Sequence, residues 1–520
     1  MTALPPWRLL LAVLLICALS ALPLVYLIVR AVGVDTGVLD LAFRPRTIEV
    51  FLGSVGLGLA VGAGSIVIGL PLAWLTSRTD LPGRRIWTVL TVVPLAVPSY
   101  VMAFAFVAAL GPRGAVSSLM AQLGLGGLPS LYGFGGAVLV LTLATYPYVM
   151  LATRAALVRF DPAIEEAGRA LGDSPVTVFR RVTLPLILPA LATGALLAVL
   201  YALADFGAVA IVQFDSFARA IYIHYRASFD RSLAAVLALM LVGVTLFLAW
   251  LEWRVRHRWP PVTHAPRRPV RPVRLGAWRW PALALCSAVV LLALVIPAGT
   301  IAFWLIRGLS QGEPLRILVD AAGNSLLAGS LAAVVVAAFA IPVAFLVVRY
   351  PSRLAAAVEG VLYSAYAVPG IVVALATVFF VINVAPIVYQ SLLVLVLAYA
   401  VRFLPQALAP TRASLTQVGP RLVEAARLLG DGPSTAFRSI TLPLLRPGVV
   451  AGMALVFLTT VKELPLTLLL GPTGFETLAT AIWGAATEGF YARAAAPAAM
   501  LMLLSAVTVG MLLRSEEPSR

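Results

Sequence analysis

Three charged side chains lie within stretches of this sequence that are otherwise almost entirely apolar: Asp205, Lys462 and Glu463. The interval from Asp205 to Glu463 is also the interval of a longer repeat in the chain. A charge inside an apolar segment is costly to bury and is typical of a solute or ion pathway in a membrane protein. We therefore expect these residues to line a translocation path. The alternative is a structural role, in which Lys462 pairs with a carboxylate and stabilises the helix bundle.

The sequence shows no cluster of residues suited to catalysis or to tight metal binding. Phosphate-binding loops of ATPases end in Gly-Lys-Ser or Gly-Lys-Thr, whereas the only lysine here lies in TTVKELP. Cys17 and Cys286 each lie in an apolar stretch, where packing is the expected role. His224 stands beside two tyrosines and is expected to be a surface histidine. We predict a non-catalytic protein without a cofactor or a resident metal.

The composition indicates a membrane protein with many helical spans. Of 520 residues, 61% are hydrophobic and 12% are charged, against about 25% charged in ordinary soluble domains. The net charge of +16 comes from arginines in short loops. This pattern predicts cytoplasmic loops beside a lipid bilayer rather than nucleic-acid binding.

About twelve stretches of the chain approach the roughly 20 apolar residues that a helix needs to cross a bilayer. The first has an arginine and an apolar core like those of a signal peptide, but it is too long for one and is expected to remain as a membrane helix. The spans are predicted near 9–30, 50–75, 88–110, 136–158, 186–212, 233–252, 280–305, 321–348, 356–382, 388–409, 446–470 and 494–513.

Two matched polar segments interrupt the apolar pattern, EEAGRALGDSPVTVFRRVTLPLILP (165–189) and VEAARLLGDGPSTAFRSITLPLLRP (423–447). Fifteen of the twenty-four positions from 166 to 189 are identical in the downstream copy. Asp161 is expected to cap a short helix, and Gly172 to follow its last turn in the left-handed conformation. A groove on a cytosolic partner would suit such a helix, and simple packing on its own bundle is the alternative.

The repeat extends beyond these segments, since Pro71 and Pro98 match Pro342 and Pro369 at one common separation. We predict an all-α membrane protein of about twelve transmembrane helices in two homologous six-helix halves, 1–253 and 280–520. A basic linker rich in Pro and Arg, 254–279, is expected to join them in the cytoplasm. FDSFARAIY and FETLATAIW align. They are expected to form short helices at the opposite surface, where they would contact a binding protein or pack on the outer leaflet.

The matched segments resemble E-A-A-x3-G-x9-I-x-L-P, the signature of binding-protein-dependent ABC importer permeases. The positions that carry the resemblance are Glu166, Ala167, Gly168 and Gly172 in the first copy, and Glu424, Ala425, Ala426 and Gly430 in the second. The resemblance implies the type I importer permease fold in a bacterial inner membrane. It also implies that 161–185 and 419–443 are coupling segments. Each would dock on one of two copies of a separate ABC ATPase, while an extracytoplasmic solute-binding protein delivers the cargo.

Fused permeases with ADFG and KELP elements resemble the ferric-iron importer group, so ferric iron is the favoured cargo. Thiamine permeases share the fused architecture, and polyamine, phosphonate and sulfate permeases are relatives. An ion-coupled secondary transporter is the alternative from a different class, since it also uses repeats and buried charges. That alternative needs no ATPase and gives the two polar segments no role. A membrane-embedded enzyme would need a catalytic cluster, which the sequence does not show.

Overall fold

The protein is a bundle of long apolar helices, seen here in a computed structural model. It describes residues 5–32, 35–112, 114–122, 130–159, 161–227, 232–258, 272–313, 316–419, 422, 424, 426, 428–430 and 432–515. The helices are α1 Trp7–Val32, α2 Thr36–Ala42, α3 Pro45–Arg78, α4 Arg84–Val92, α5 Ser99–Leu110, α6 Ala115–Gln122, α7 Phe134–Arg159, α8 Pro162–Ala170, α9 Pro175–Val178, α10 Leu184–Ala204, α11 Gly207–Ile211, α12 Phe217–Ala227, α13 Ser232–Arg258, α14 Arg279–Val290, α15 Ile296–Ser310, α16 Arg316–Arg349, α17 Arg353–Ala367, α18 Gly370–Val384, α19 Leu392–Gln417, α20 Pro433–Ala436, α21 Leu442–Val461, α22 Pro465–Leu470, α23 Leu478–Thr487 and α24 Tyr491–Ser515.

Several helices are joined or extended by tighter or wider turns. The 3₁₀ turns are Val93–Ala96, Gly276–Trp278 and Pro386–Val388, and the π-helical turns are Phe179–Thr183, Leu291–Val295 and Phe437–Thr441. Two of the π turns occupy matching places, directly before α10 and α21. Within the described residues, ten helices are long and apolar enough to cross a membrane, and two bent pairs bring the count to as many as twelve. The predicted helical membrane fold is confirmed.

The third and ninth predicted spans, 88–110 and 356–382, are bent rather than straight. The chain turns by 96° between α4 and α5 and by 104° between α17 and α18. A proline stands at each bend, Pro98 in the first half and Pro369 in the second. A residue before proline is disfavoured in the helical region. Val97 and Val368 are accordingly extended, with ψ of 122° and 132°.

The fifth and eleventh predicted spans, 186–212 and 446–470, are each interrupted near their far end. α10 ends at Ala204 and α21 ends at Val461, and the short helices α11 and α22 follow each interruption. Asp205, Lys462 and Glu463 therefore lie in two helix breaks and not within continuous helices, which corrects the sequence-based placement of these charges. We call these places the first break (205–206) and the second break (462–464).

The two halves repeat the same packing. In the first, α3, α7 and α10 pack together, and in the second α16, α19 and α21 do so. The hydroxyl of Ser54 accepts a hydrogen bond from the Phe217 amide at 2.7 Å, and that of Ser325 accepts one from the Leu478 amide at 2.8 Å. These matched bonds fix the first turns of α12 and α23, the predicted short helices, against α3 and α16.

The first helices of the two halves are exchanged. α1 packs on α17 and α18 of the second half, while α14 and α15 pack on α4 and α5 of the first. The Trp304 indole donates to the Ala108 carbonyl at 3.2 Å across this boundary. Each half thus completes its surface with a helix from the other, so the halves defined by sequence do not separate in space.

The linker begins later than the sequence suggests, because α13 continues to Arg258. Residues 259–271 lie outside the described part of the chain. Beyond them, Val273 pairs with the chain at Thr79, donating to the Arg78 carbonyl at 2.8 Å and accepting from the Asp80 amide at 3.1 Å. α3, α7 and α16 carry arginines in their last turns near this end of the bundle, and we call it the arginine-rich face.

Close helix contacts recur at matched glycines, which generates a test of the fold. A Cβ on Gly194 would lie 2.7 Å from the Val149 Cα, and one on Gly452 would lie 2.9 Å from the Ala407 Cα. Small residues allow membrane helices to approach this closely. Gly243 on α13 has open space around it and provides a control.

We expect Gly194→Leu and Gly452→Leu each to lower the thermal unfolding midpoint of the purified protein, and Gly243→Leu to leave it near the wild-type value. Overpacking costs about 1–3 kcal/mol even where side chains can adjust, and here the obstacle is backbone. Fluorescence-detected unfolding in detergent measures the effect. Equal midpoints for Gly194→Leu and wild type would contradict the packing.

Candidate functional site

The first polar segment folds into two short helices joined by a glycine turn, and the first of them begins and ends as the sequence predicts. Asp161 caps α8 by accepting from the Ala163 amide at 3.0 Å, and Ser174 caps α9 by accepting from the Thr177 amide at 3.2 Å. Gly172 has φ of +93°. Only glycine adopts this region without strain, so the turn requires it.

One side of α8 is attached to the protein itself. The Glu165 carboxylate accepts from the Thr183 hydroxyl at 2.7 Å and lies 3.8 Å from a guanidinium nitrogen of Arg78, whose side chain is 4% exposed. Gly168 faces Val178, whose methyl carbon would lie 3.3 Å from a Cβ at that glycine. Gly168 therefore serves internal packing, and only part of the predicted docking face remains outward.

The other side of this segment is exposed on the arginine-rich face. Glu166 and Ala167 are exposed there, and Leu171 beside the glycine turn has 88% of its surface accessible. A leucine so fully exposed at the tip of a polar segment is suited to insert into a pocket of another protein.

The second polar segment repeats this arrangement where it is described. Glu424 is exposed, Gly430 has φ of +98° and Leu429 is 89% exposed. Ala426, the counterpart of Gly168, is buried at 5% exposure, and Ala436 stands where the first copy has Val178. Positions 168 and 178 are thus glycine and valine in the first copy, and the matching positions 426 and 436 are both alanine in the second. Ala425 lies outside the described residues.

The first break places Asp205 between two helix N-termini. Its carboxylate accepts from the Ala208 amide at 2.8 Å and from the Val209 amide at 3.4 Å. An N-cap residue makes the same kind of bond at the start of a helix. The carboxylate also accepts a hydrogen bond from the hydroxyl of Ser99, the first residue of α5. The first turn of α11 and the first side chain of α5 therefore both donate to one carboxylate.

The second break holds Glu463 in the matching place but with a different partner. Its carboxylate lies 3.5 Å from the Leu466 amide and 3.8 Å from Nε of Arg402 on α19, with 10% and 17% of the two side chains exposed. Arg402 also donates to the Val368 carbonyl at 2.7 Å. A Cβ on Gly370 would lie 2.8 Å from the Glu463 carboxylate, so glycine leaves room for the ion pair.

Arg402 was missed by the sequence reasoning, although a signal was present. It is a charged residue within the predicted span 388–409, the same signal that identified Asp205. Its counterpart in the first half is Ala144, and the counterpart of Lys462 is Ala204. Lys462 reaches across to the first half, where its ammonium lies 3.5 Å from the Ala96 carbonyl.

The two breaks meet where the halves meet. A Cβ on Gly207 would lie 3.1 Å from a methyl carbon of Leu464, and the Asp205 and Glu463 carboxylates are within electrostatic reach of each other. Residues that a twofold axis relates can be neighbours only close to that axis. Among the described residues, no three His, Cys, Asp or Glu side chains converge as metal ligands would.

Comparisons with known proteins agree with this duplicated architecture. A family model described as "Binding-protein-dependent transport system inner membrane component" matches residues 65–258 and 318–516. The chain is 32% identical over 515 residues to the Fe(3+)-transport system permease protein FbpB 2 of Haemophilus influenzae, covering 98% of both chains. It is 26% identical to the ferric transport system permease protein FbpB of Actinobacillus pleuropneumoniae, over 80% of this chain and 64% of that one. A molybdenum transport system permease protein, ModB of Haemophilus influenzae, is 32% identical over 30% of this chain and 69% of its own length.

The Arg402–Glu463 pair gives a stability prediction. Removing one partner of a buried ion pair leaves a charge without compensation and costs about 3–5 kcal/mol. We expect Arg402→Ala to destabilise the protein by that order, and the double variant Arg402→Ala with Glu463→Gln to recover much of the loss, because glutamine removes the charge and keeps an oxygen for the Leu466 amide. Unfolding midpoints of the three proteins in detergent measure this cycle. A double variant that is less stable than Arg402→Ala alone would rule out a compensating pair.

Proposed function

The chain belongs to the family of inner membrane components of binding-protein-dependent transport systems, and on that premise we propose that it carries ferric iron across the membrane for a separate ABC ATPase. As a member of this family it is a multi-pass permease subunit of an ABC importer. The proposal of ferric iron as the cargo rests on the full-length similarity to the Haemophilus influenzae Fe(3+)-transport permease, which covers 98% of both chains.

We infer that the two polar segments are the docking sites of the ATPase. Each offers an exposed leucine, Leu171 or Leu429, next to a left-handed glycine and on the same face of the bundle. Glu166 with Ala167, and Glu424 in the second copy, would contribute to the exposed docking surface. Two matched segments call for two copies of the ATPase, because one subunit can occupy only one of them.

The internal attachments of α8 suit it to transmit force. Because Glu165 is bonded to Thr183 at the entry to α10, and Gly168 packs on Val178, movement of the docked segment is passed to a membrane helix. α10 ends directly before Asp205. Closure of the ATPase pair would in this way be delivered to the first break.

The two breaks are the proposed constriction of the translocation path. Asp205, Lys462 and Glu463 lie near the pseudo-twofold axis, where transporters built from repeats place their substrate sites. Their short flanking helices, α11 and α22, can shift without unfolding a full span. An extracytoplasmic binding protein would deliver the cargo at the face opposite the docking segments.

The docking proposal predicts the behaviour of the exposed leucines. We expect Leu171→Asp combined with Leu429→Asp to abolish copurification of the co-expressed ATPase and ATP-driven uptake, because a charge cannot enter an apolar pocket without a partner. Membrane insertion should be unchanged, since both side chains are already exposed. Ile387→Asp is the control, because Ile387 is 95% exposed at the opposite face. Full uptake by the double variant would show that the coupling assignment is wrong.

The cargo is tested by uptake in cells that lack their own ferric importer. Cells expressing the chain with its ATPase and binding protein should accumulate radiolabelled ferric iron and not radiolabelled thiamine. Uptake should stop when the ATPase is made inactive. Uptake of thiamine instead of ferric iron would show that thiamine is the cargo. Uptake that persists without the ATPase would favour an ion-coupled transporter.

A further inference from the structure

The contact between the two breaks brings a set of oxygen atoms together at the pseudo-twofold axis. Besides lying near Leu464, a Cβ on Gly207 would be 2.7 Å from the Cβ of Tyr100. Tyr100 follows Ser99, whose hydroxyl donates to Asp205. The start of α5, the first break and the second break therefore enclose one small region.

The side chains of this region include five groups with hard oxygen donors. They are the carboxylates of Asp205 and Glu463, the hydroxyl of Ser99 and the phenols of Tyr100 and Tyr201. Tyr201 lies beside Ser99 and Asp205, and Tyr100 lies within electrostatic reach of Glu463 and Tyr201. We call these five residues the axial oxygen cluster.

The buried hydroxyl of Tyr100 indicates that a ligand binds in this region. The residue is only 4% exposed, and its hydroxyl makes no hydrogen bond within the described part of the chain. A buried hydroxyl without a partner is unfavourable. The fully buried Tyr146 and Tyr399, by contrast, are bonded to the Thr91 carbonyl and the Thr467 hydroxyl at 2.7 and 2.6 Å.

Two cations border the cluster, and both come from the second half. Arg402 lies beside Glu463, and Lys462 extends toward Ala96, three residues before Ser99. Two carboxylates and two cations leave the region without net formal charge. Such a site binds a cation only while Arg402 and Lys462 are displaced from it, which suits brief passage better than storage.

We propose that the axial oxygen cluster is a transit site that coordinates the ferric ion directly through carboxylate and phenolate oxygens. This inference rests on the proposed ferric cargo and adds the chemistry of its path. Hard cations prefer oxygen ligands of this kind, whereas sulfur and nitrogen donors suit softer metals. On coordination a phenol releases its proton to water, and the iron remains in the ferric state, so no electron is transferred.

Binding of Fe(III) as its nitrilotriacetate complex to the full chain in lipid nanodiscs tests the transit site. A phenolate bound to Fe(III) gives a visible charge-transfer band, which Ga(III) does not give. We expect the band in wild-type protein and its removal by excess Ga(III). Tyr100→Phe should lose most of the band, and Asp205→Asn with Glu463→Gln should weaken binding by at least about tenfold, since each removes a charged ligand. Tyr350→Phe, near the arginine-rich face, should retain the band.

Uptake of radiolabelled ferric iron by cells that express the same variants separates this inference from the proposed function. The transit site predicts reduced uptake by Tyr100→Phe at unchanged protein level and unchanged ATPase copurification. Full uptake and an unchanged band in Tyr100→Phe would overturn the transit site but not the proposal that ferric iron is the cargo. Ferric uptake by the wild type without any charge-transfer band would have the same consequence. Absence of ferric uptake by the wild type would instead overturn the proposal that ferric iron is the cargo.

Discussion

Backbone amides that a helix break exposes in a membrane must find acceptors within the protein, because lipid offers none. The chain meets this requirement with a carboxylate at each break. Asp205 accepts from two amides of α11, and Glu463 faces the first turn of α22. The bends at Pro98 and Pro369 then bring the first turns of α5 and α18 to the same two carboxylates. Each carboxylate thus supports the break at which it stands, so the structural role and the proposed pathway role would belong to the same atoms.

This constraint links the arginine-rich face to the axis. α10 runs without interruption from Leu184 to Ala204. A helix rises about 1.5 Å per residue, so one of this length spans about 30 Å. One end is joined through Thr183 to Glu165 of the polar segment, and the other leads directly into Asp205. The second half has the same order, with α21 between its polar segment and Glu463. One continuous helix in each half therefore connects the polar segment on the arginine-rich face with the helix break near the axis.

Local signals in the sequence predicted much of this, because local geometry depends on local residue types. The cap at Asp161, the left-handed glycines at 172 and 430, and the short helix after FDS are all present. Each follows from the chemistry of single residues or turns. Interior features that depend on tertiary packing were less accessible. The matched prolines marked both bends, but nothing nearby in sequence gives an angle of 96° or 104°. The exchange of α1 and α14, and the inward orientation of Gly168, depend on partners far away in the chain.

The mean hydropathy of a span does not reveal a helix break or a single buried charge within it. An average over a window of residues reads 186–212 as one apolar span, since a single aspartate among many apolar residues barely lowers the mean. The break lies at that one residue. Arg402 was hidden for the same reason, within a span that is apolar on average. Single charges inside apolar windows therefore deserve individual interpretation, because a membrane interior retains them only with a partner.

Because the two halves differ in sequence, the axis holds different groups on its two sides. In a symmetric dimer, an arginine at position 402 would be present twice, and so would a lysine at 462, giving four cations around two carboxylates. Here Ala144 and Ala204 occupy the matching positions in the first half, and Gly370 is the counterpart of Ser99 in the second half. One half supplies a hydroxyl and the other supplies both cations, so the formal charges cancel. Neutrality in this mixed form requires that the two halves differ at these positions, as their sequences do, so divergence of the duplicated halves has a physical consequence at the pseudo-twofold axis.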